Sequence, residues 1–166
     1  MKKIYYHVFE IQNHSYLLGV TDKGLAFVGS WDQGIAELKQ FYPEAILEDD
    51  FEHVIKYEKQ LEEYLEGSRE EFTFMLDTSG TTFQEAVWQE LKRIPYGEVS
   101  NYTKIAKAIN KPKAVRAVGT AIGKNPVLIV VPCHRVLTKT GDLGGYRGGI
   151  KMKRALLDLE TKFCRQ

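Results

Sequence analysis

The hydrophobic period changes partway along this chain, and that change limits the fold more than any other feature. Before residue 80, segments 4–11, 15–20 and 24–29 are rich in β-branched and aromatic residues and read as strands. After it, apolar residues recur at helical spacing: Phe83, Val87, Leu91 and Ile94; Tyr102, Ile105, Ala106 and Ile109; Val115, Val118 and Ile122; Met152, Leu156, Leu159 and Phe163. The charge changes at the same place. Residues 1–80 hold 7 Lys+Arg and 16 Asp+Glu, or −9, and residues 81–166 hold 16 and 6, or +10. Such a chain reads as two domains, an α/β domain over 1–80 and a mainly α domain over 81–166, joined by a linker at 77–80. The positive half would attract phosphate backbones.

The first domain is completed by expected helices over 30–41 and 52–66 and a short strand over 72–76. Gly67 is placed to stop the second helix. His7, His14 and His53 read as surface or packing residues. In the second domain, Thr82 with Glu85 predicts a capping box, Asn101 can cap the next helix, and a basic helix is expected over 113–124. Its outer face would carry Lys113, Arg116, Ala117, Thr120, Ala121 and Lys124. Two short helices in this order read as a helix-turn-helix, a pattern shared with ordinary helical hairpins. No apolar stretch is long enough to span a membrane, and the N-terminus is not a signal peptide. Two cysteines make no disulfide framework, so a reducing cytoplasm is expected. Neither a metal site nor a cofactor is expected.

Chemistry is concentrated in Val131-Pro132-Cys133-His134-Arg135-Val136, which follows an apolar, strand-like run over 127–131. A thiolate is a nucleophile, and neighbouring cations lower a thiol's pKa. Cys133 alone could equally be a small hydrophobe at a strand end. Cys164, beside Arg165, has no motif around it and is expected to be inert toward a substrate.

The hexapeptide closely resembles the active-site motif of the O6-alkylguanine-DNA alkyltransferases. The resemblance extends from Phe83 to Glu160 through Ile94-Pro95-Tyr96-Gly97-Glu98-Val99, Tyr102, Ala114-Val115-Arg116-Ala117-Val118-Gly119, Asn125-Pro126, Gly145-Tyr146-Arg147-Gly148-Gly149 and Leu156-Leu157-Asp158-Leu159-Glu160. It implies a ribonuclease-H-like N-terminal domain and a winged-helix-like C-terminal domain. By the same resemblance, Cys133 would take the alkyl group from O6 of guanine in a single turnover, with O4-alkylthymine as a second candidate substrate. His134 would form the thiolate through a water, Glu160 would orient His134, and Asn125 would tie the helices to the active-site segment. Tyr102 would help extrude the base and protonate the departing guanine. Arg116 would fill the gap in the duplex beside Ala117, with Lys113 and Lys124 on phosphates. Tyr146 and the backbone around Val136 and Arg147 would line the guanine pocket. The implied partner is double-stranded DNA with an extruded alkylated base, met by a monomer.

Two positions depart from the pattern: Leu128, where proline or a small residue is frequent, and Asn101, where Ser or Thr is usual. A lesion sensor, a transcription factor and a cysteine hydrolase are rival readings. A sensor would lack the cysteine, a regulator would carry a further domain, and a hydrolase would turn over repeatedly.

Overall fold

The computed structural model describes residues 2–164, and the chain divides into two compact units, Met1–Thr78 and Ser79–Gln166. The first unit is built on β1 (Lys3–Ile11), β2 (His14–Val20) and β3 (Leu25–Val28). Gln12 and Asn13 join β1 to β2 with φ of 49° and 73°, the left-handed pair that a two-residue hairpin needs to match strand twist. A chain reversal then returns through α1 (Ile35–Phe41) to β4 (Ile46–Asp49), giving sheet order β3-β2-β1-β4. β4 pairs parallel to β1, from Lys3 opposite Ile46 to Tyr6 opposite Asp49. Parallel pairing requires such a crossover. Ile4, Leu17, Phe27 and Leu38 form the core between sheet and α1. Removing each such side chain from water contributes roughly 1.5–3 kcal/mol.

Helix α2 (Phe51–Glu66) begins where Asp50 accepts a hydrogen bond from the His53 amide and ends at Gly67, φ 87°. It buries Val54, Tyr57, Leu61, Tyr64 and Leu65, a stripe at helical spacing. Several local expectations needed correction. The helix expected over 30–41 starts only at Ile35, because the Glu37 carboxylate takes the Ser30 amide and hydroxyl and holds that segment as a turn. The strand expected over 72–76 is reduced to a bridge between Leu76 and Leu25. β4 was not foreseen, since it is an edge strand with mostly exposed side chains.

The second unit begins with α3 (Thr82–Leu91). Its capping box is formed by Thr81 and Gln84, one residue before the expected pair, and Glu85 instead accepts from the Gly80 amide. β5 (Ser100–Asn101) leads into α4 (Tyr102–Ala108), capped by the Asn101 side chain on the Lys104 amide as expected. α5 (Val115–Gly123) is shorter than the expected 113–124. Ala121, expected on the outer face of α5, is buried. Its carbonyl accepts the Trp88 indole N–H at 2.9 Å, which pins α5 to α3.

The apolar run 127–131 is not a strand. Val127, Leu128, Ile129 and Val131 are buried in a compact turn closed by the Val131 amide on the Val127 carbonyl at 3.1 Å. Ile129 sits at φ 72°, a strained position for a β-branched residue, costing on the order of 1–3 kcal/mol. The turn persists because the buried Asn125 side chain satisfies it from inside. Its Oδ1 accepts from the Val127 amide at 2.9 Å and its Nδ2 donates to the Val131 carbonyl at 3.0 Å. A short 3-10 turn, Cys133–Arg135, follows, then β6 (Val136–Leu137) beside β5, and finally α6 (Ile150–Phe163). Among the described residues, no helix is long and apolar enough to cross a membrane.

Candidate active site

Cys133 emerges from this strained turn with only 3% of its surface exposed. The Asn125 amide that holds the turn also donates to the Cys133 Sγ at 3.3 Å. One side chain therefore fixes both the backbone approach and the sulfur. Burial pushes the Cys133 thiol up, opposed by the Asn125 hydrogen bond and by the charges of Arg147 and Lys153. The expected lowering by neighbouring cations is thus outweighed by desolvation, which disfavours a charged sulfur. At rest the group is a thiol.

His134 is fully buried, and its Nε2 lies 2.7 Å from Glu160 Oε2. The α6 helix delivers Glu160 to this point. The carboxylate also receives a two-pronged bond from Arg135, Nε to Oε1 and Nη2 to Oε2, each at 2.8 Å. The Gly97 amide donates to Oε1 at 3.3 Å. Burial by itself would raise the Glu160 carboxyl, but hydrogen bonds from His134 and Arg135 hold it down at about 2. Burial lowers the His134 pKa, with Glu160 working against that. A ring held neutral in this way donates Nε2–H to the carboxylate and carries its lone pair on Nδ1. That Nδ1 has no hydrogen-bond partner among the described residues.

Two buried cations complete the cluster, Arg135, expected only as a charge beside the thiol, and Lys153, for which no role was expected. Arg135 is 7% exposed and also donates from Nη1 to the Ile94 carbonyl at 2.6 Å. Lys153 is fully buried and donates to the carbonyls of Val136, Leu143 and Gly145. Burial lowers its ammonium pKa to about 8. A signal for Lys153 was available. Lys153, Leu156 and Glu160 fall at i, i+3 and i+7, so two opposite charges share the buried face of α6.

The remaining expected residues fall into two groups. Tyr102 and Arg147 are close enough to Cys133 to interact with it electrostatically, and the Val136 amide donates to the Cys133 carbonyl. The half-buried Tyr102 phenol is pushed up by burial and by the Cys133 charge. A Cβ placed on Gly144 would meet its hydroxyl at 3.3 Å. The Tyr146 ring lies over Gly148, where a Cβ would come within 2.7 Å of it. Arg147 donates from Nε and Nη2 to the Asn125 carbonyl at 3.3 and 2.9 Å. The Val136 carbonyl takes the Lys153 ammonium at 2.6 Å. Lys113, Arg116, Ala117 and Lys124 form the second group. All are exposed on or beside α5, with none of the buried bonding seen around Cys133. Cys164 is free and partly buried, its Sγ 3.8 Å from the Tyr96 carbonyl. Arg165, its neighbour, lies outside the described residues.

A buried cysteine, a neutral histidine on an ionised carboxylate, and a basic helix pair in the same unit define a class: proteins with a single reactive thiol beside a nucleic-acid-binding element. Comparison with known proteins narrows it. The family profile described as the 6-O-methylguanine DNA methyltransferase DNA-binding domain matches residues 82–162. The inducible methylated-DNA–protein-cysteine methyltransferase of Bacillus subtilis is 47% identical over 163 residues, covering 96% of this chain and 91% of the relative. The corresponding Methanosarcina acetivorans protein is 41% identical over 95% of this chain and 98% of its own length. A crystal structure of Mycobacterium tuberculosis OGT in complex with DNA superposes with a TM-score of 0.81 at 38% identity, covering 95% of this chain and 93% of that one. The chain belongs to the methylated-DNA–protein-cysteine methyltransferase family.

Proposed function

We propose that this protein repairs DNA by direct reversal, taking the alkyl group from O6 of guanine onto the Sγ of Cys133. The observation that supports the assignment is the pair of bonded sets on adjacent residues, Asn125 to Cys133 on one side and His134 to Glu160 and Arg135 on the other. His134 Nδ1 takes the thiol proton by way of a water. The sulfur attacks the alkyl carbon, the carbon–O6 bond breaks, and a thioether forms. Tyr102, whose raised pKa keeps it protonated, hands a proton to the departing guanine. This is nucleophile–base–orienter logic turned on carbon. No step hydrolyses the thioether, so each molecule acts once. O4-alkylthymine is a second candidate substrate.

A buried thiol cannot reach a stacked base, so the alkylated nucleotide must leave the duplex. Arg116, exposed on α5, would fill the gap, with Ala117 allowing close approach and Lys113 and Lys124 on phosphates. Tyr146 and the backbone of Val136 and Arg147 line the guanine pocket. The order β3-β2-β1-β4, with one parallel edge, supports a ribonuclease-H-like first domain over 1–80. Helices α3–α5 with the β5–β6 pair support a winged-helix-like second domain over 81–166, with α4 and α5 as a helix-turn-helix. A monomer acting in the cytoplasm fits this reading.

Incubation with duplex DNA containing O6-methylguanine, followed by intact-protein mass and peptide mapping, tests the assignment. One methyl group on Cys133 per protein is expected. A methyl group on Cys164, or repeated turnover, would overturn it.

A further inference from the structure

We infer that Arg135 is a positioning residue for the transfer, acting through Glu160 to keep the His134 ring neutral and turned with Nδ1 bare; this rests on the proposed role of His134 as base. The geometry leaves Glu160 little freedom. An ionised carboxylate offers about four lone-pair sites. Among the described residues, the donors that reach Glu160 include Nε and Nη2 of Arg135, Nε2 of His134 and the Gly97 amide. Arg135 is itself fixed by the Ile94 carbonyl and by the Tyr96 ring, whose centroid is 5.6 Å from its Cζ. The two-pronged bond from Arg135 therefore fixes the carboxylate plane, and His134 meets it through Nε2.

The guanidinium also changes what the carboxylate does to the ring. A lone buried carboxylate at 2.7 Å would favour imidazolium. A protonated His134 cannot accept the Cys133 proton. Arg135 places a compensating positive charge on the same carboxylate and opposes protonation of His134, as Lys153 also does. The charged or titratable groups facing His134 are Glu160 and Lys153 from α6 and Cys133 and Arg135 from its own turn. Removal of the Arg135 charge makes the ring more basic, so the acid limb of transfer moves to higher pH.

The test compares the full-length protein with Arg135→Lys and Arg135→Met. Single-turnover transfer from O6-methylguanine duplex DNA is followed across pH. In parallel, the His134 ring is titrated by nuclear magnetic resonance of labelled histidine, its signal assigned as the one of four lost in His134→Gln. The expected midpoint rises from wild type to Arg135→Lys to Arg135→Met, and the acid limb rises with it. Wild-type His134 should show the Nε2–H tautomer at neutral pH. Lysine keeps the charge but cannot span both oxygens, so its shift is the smaller one. If Arg135→Met fails to fold, Arg135→Lys decides. An unchanged midpoint and limb in a folded variant overturn the inference. Absence of transfer by wild type would instead overturn the acceptor assignment, so the two failures are separable.

Discussion

All four histidines of this chain meet a carboxylate, three in the first unit and one in the second, at nearly the same distance. His7, His14 and His53 lie 2.7, 2.9 and 2.9 Å from Asp49, Asp32 and Asp50, and His134 lies 2.7 Å from Glu160. Distance does not separate them; exposure and orientation do. The first three side chains are 32%, 33% and 48% exposed, and His134 is 0%. Water competes with each surface pair, whereas it cannot weaken the buried one. The surface histidines use Nδ1 on their partners, and two stack on Trp31 and Tyr5. His134 uses Nε2 and leaves Nδ1 without a hydrogen-bond partner among the described residues. A histidine–carboxylate pair is thus exposed in one unit and buried in the other.

The comparison breaks most sharply in activity. Replacement of His134 by Gln should slow transfer by about 10²- to 10⁴-fold, the span of a lost general base. Gln at His7 or His14 should leave the rate unchanged in the same single-turnover assay. Equal losses would erase the distinction. Next in size is stability. Glu160→Gln leaves a buried guanidinium facing a neutral amide, and breaking a buried pair costs about 3–5 kcal/mol. Asp49→Asn, at an exposed pair, should leave the denaturant midpoint nearly where it was.

Acid should sharpen the contrast further. The Glu160 carboxyl is held below its ordinary 4.5, so its contribution is present above that value and lost as pH falls toward about 2. His134 is also held below its ordinary 6.5, so the unfolded chain takes up a proton there that the folded chain refuses. Below pH 6.5 the His134 contribution should therefore be lost, against an opposite contribution from Glu58, whose carboxyl burial raises to about 7. The stability difference between wild type and His134→Gln isolates it: that difference should change as pH falls from 7 to 5, and a constant difference would contradict it.

The smallest stability effect is expected at Arg116. Its removal from the exposed face of α5 should change stability by about 0.5 kcal/mol or less. It should slow repair of duplex DNA while sparing the free base O6-benzylguanine, which needs no extrusion. A parallel fall in both rates would remove Arg116 from the extrusion step.

Much of this was legible in the sequence, for reasons that also explain the exceptions. Strands β1 to β3 and helix α2 carry strong local periods, Asn101 begins a helix with its own side chain, and Gly67 ends one with its backbone angle. Edge strand β4 buries little and pairs with residues more than forty positions away, so it leaves no local trace. The run 127–131 has a strand's composition, but Asn125 supplies its hydrogen bonds, a choice no period encodes. Cys133, His134, Asn125 and Glu160 stood out through a resemblance rather than through spacing. Arg135 stood out only as a cation beside Cys133, and Lys153 left only its helical spacing with Leu156 and Glu160, because Lys and Arg are mostly found on surfaces. Their bonds follow from the partners that the fold brings to them.

The concealment of Cys133 has a consequence for how the molecule persists in a cell. A protein that is consumed by one reaction cannot recover from an accidental one. Peroxides and stray electrophiles select thiols by thiolate character and access. With 3% exposure and a raised pKa, Cys133 offers them neither. The fold thereby acts as a safety catch on the thiol.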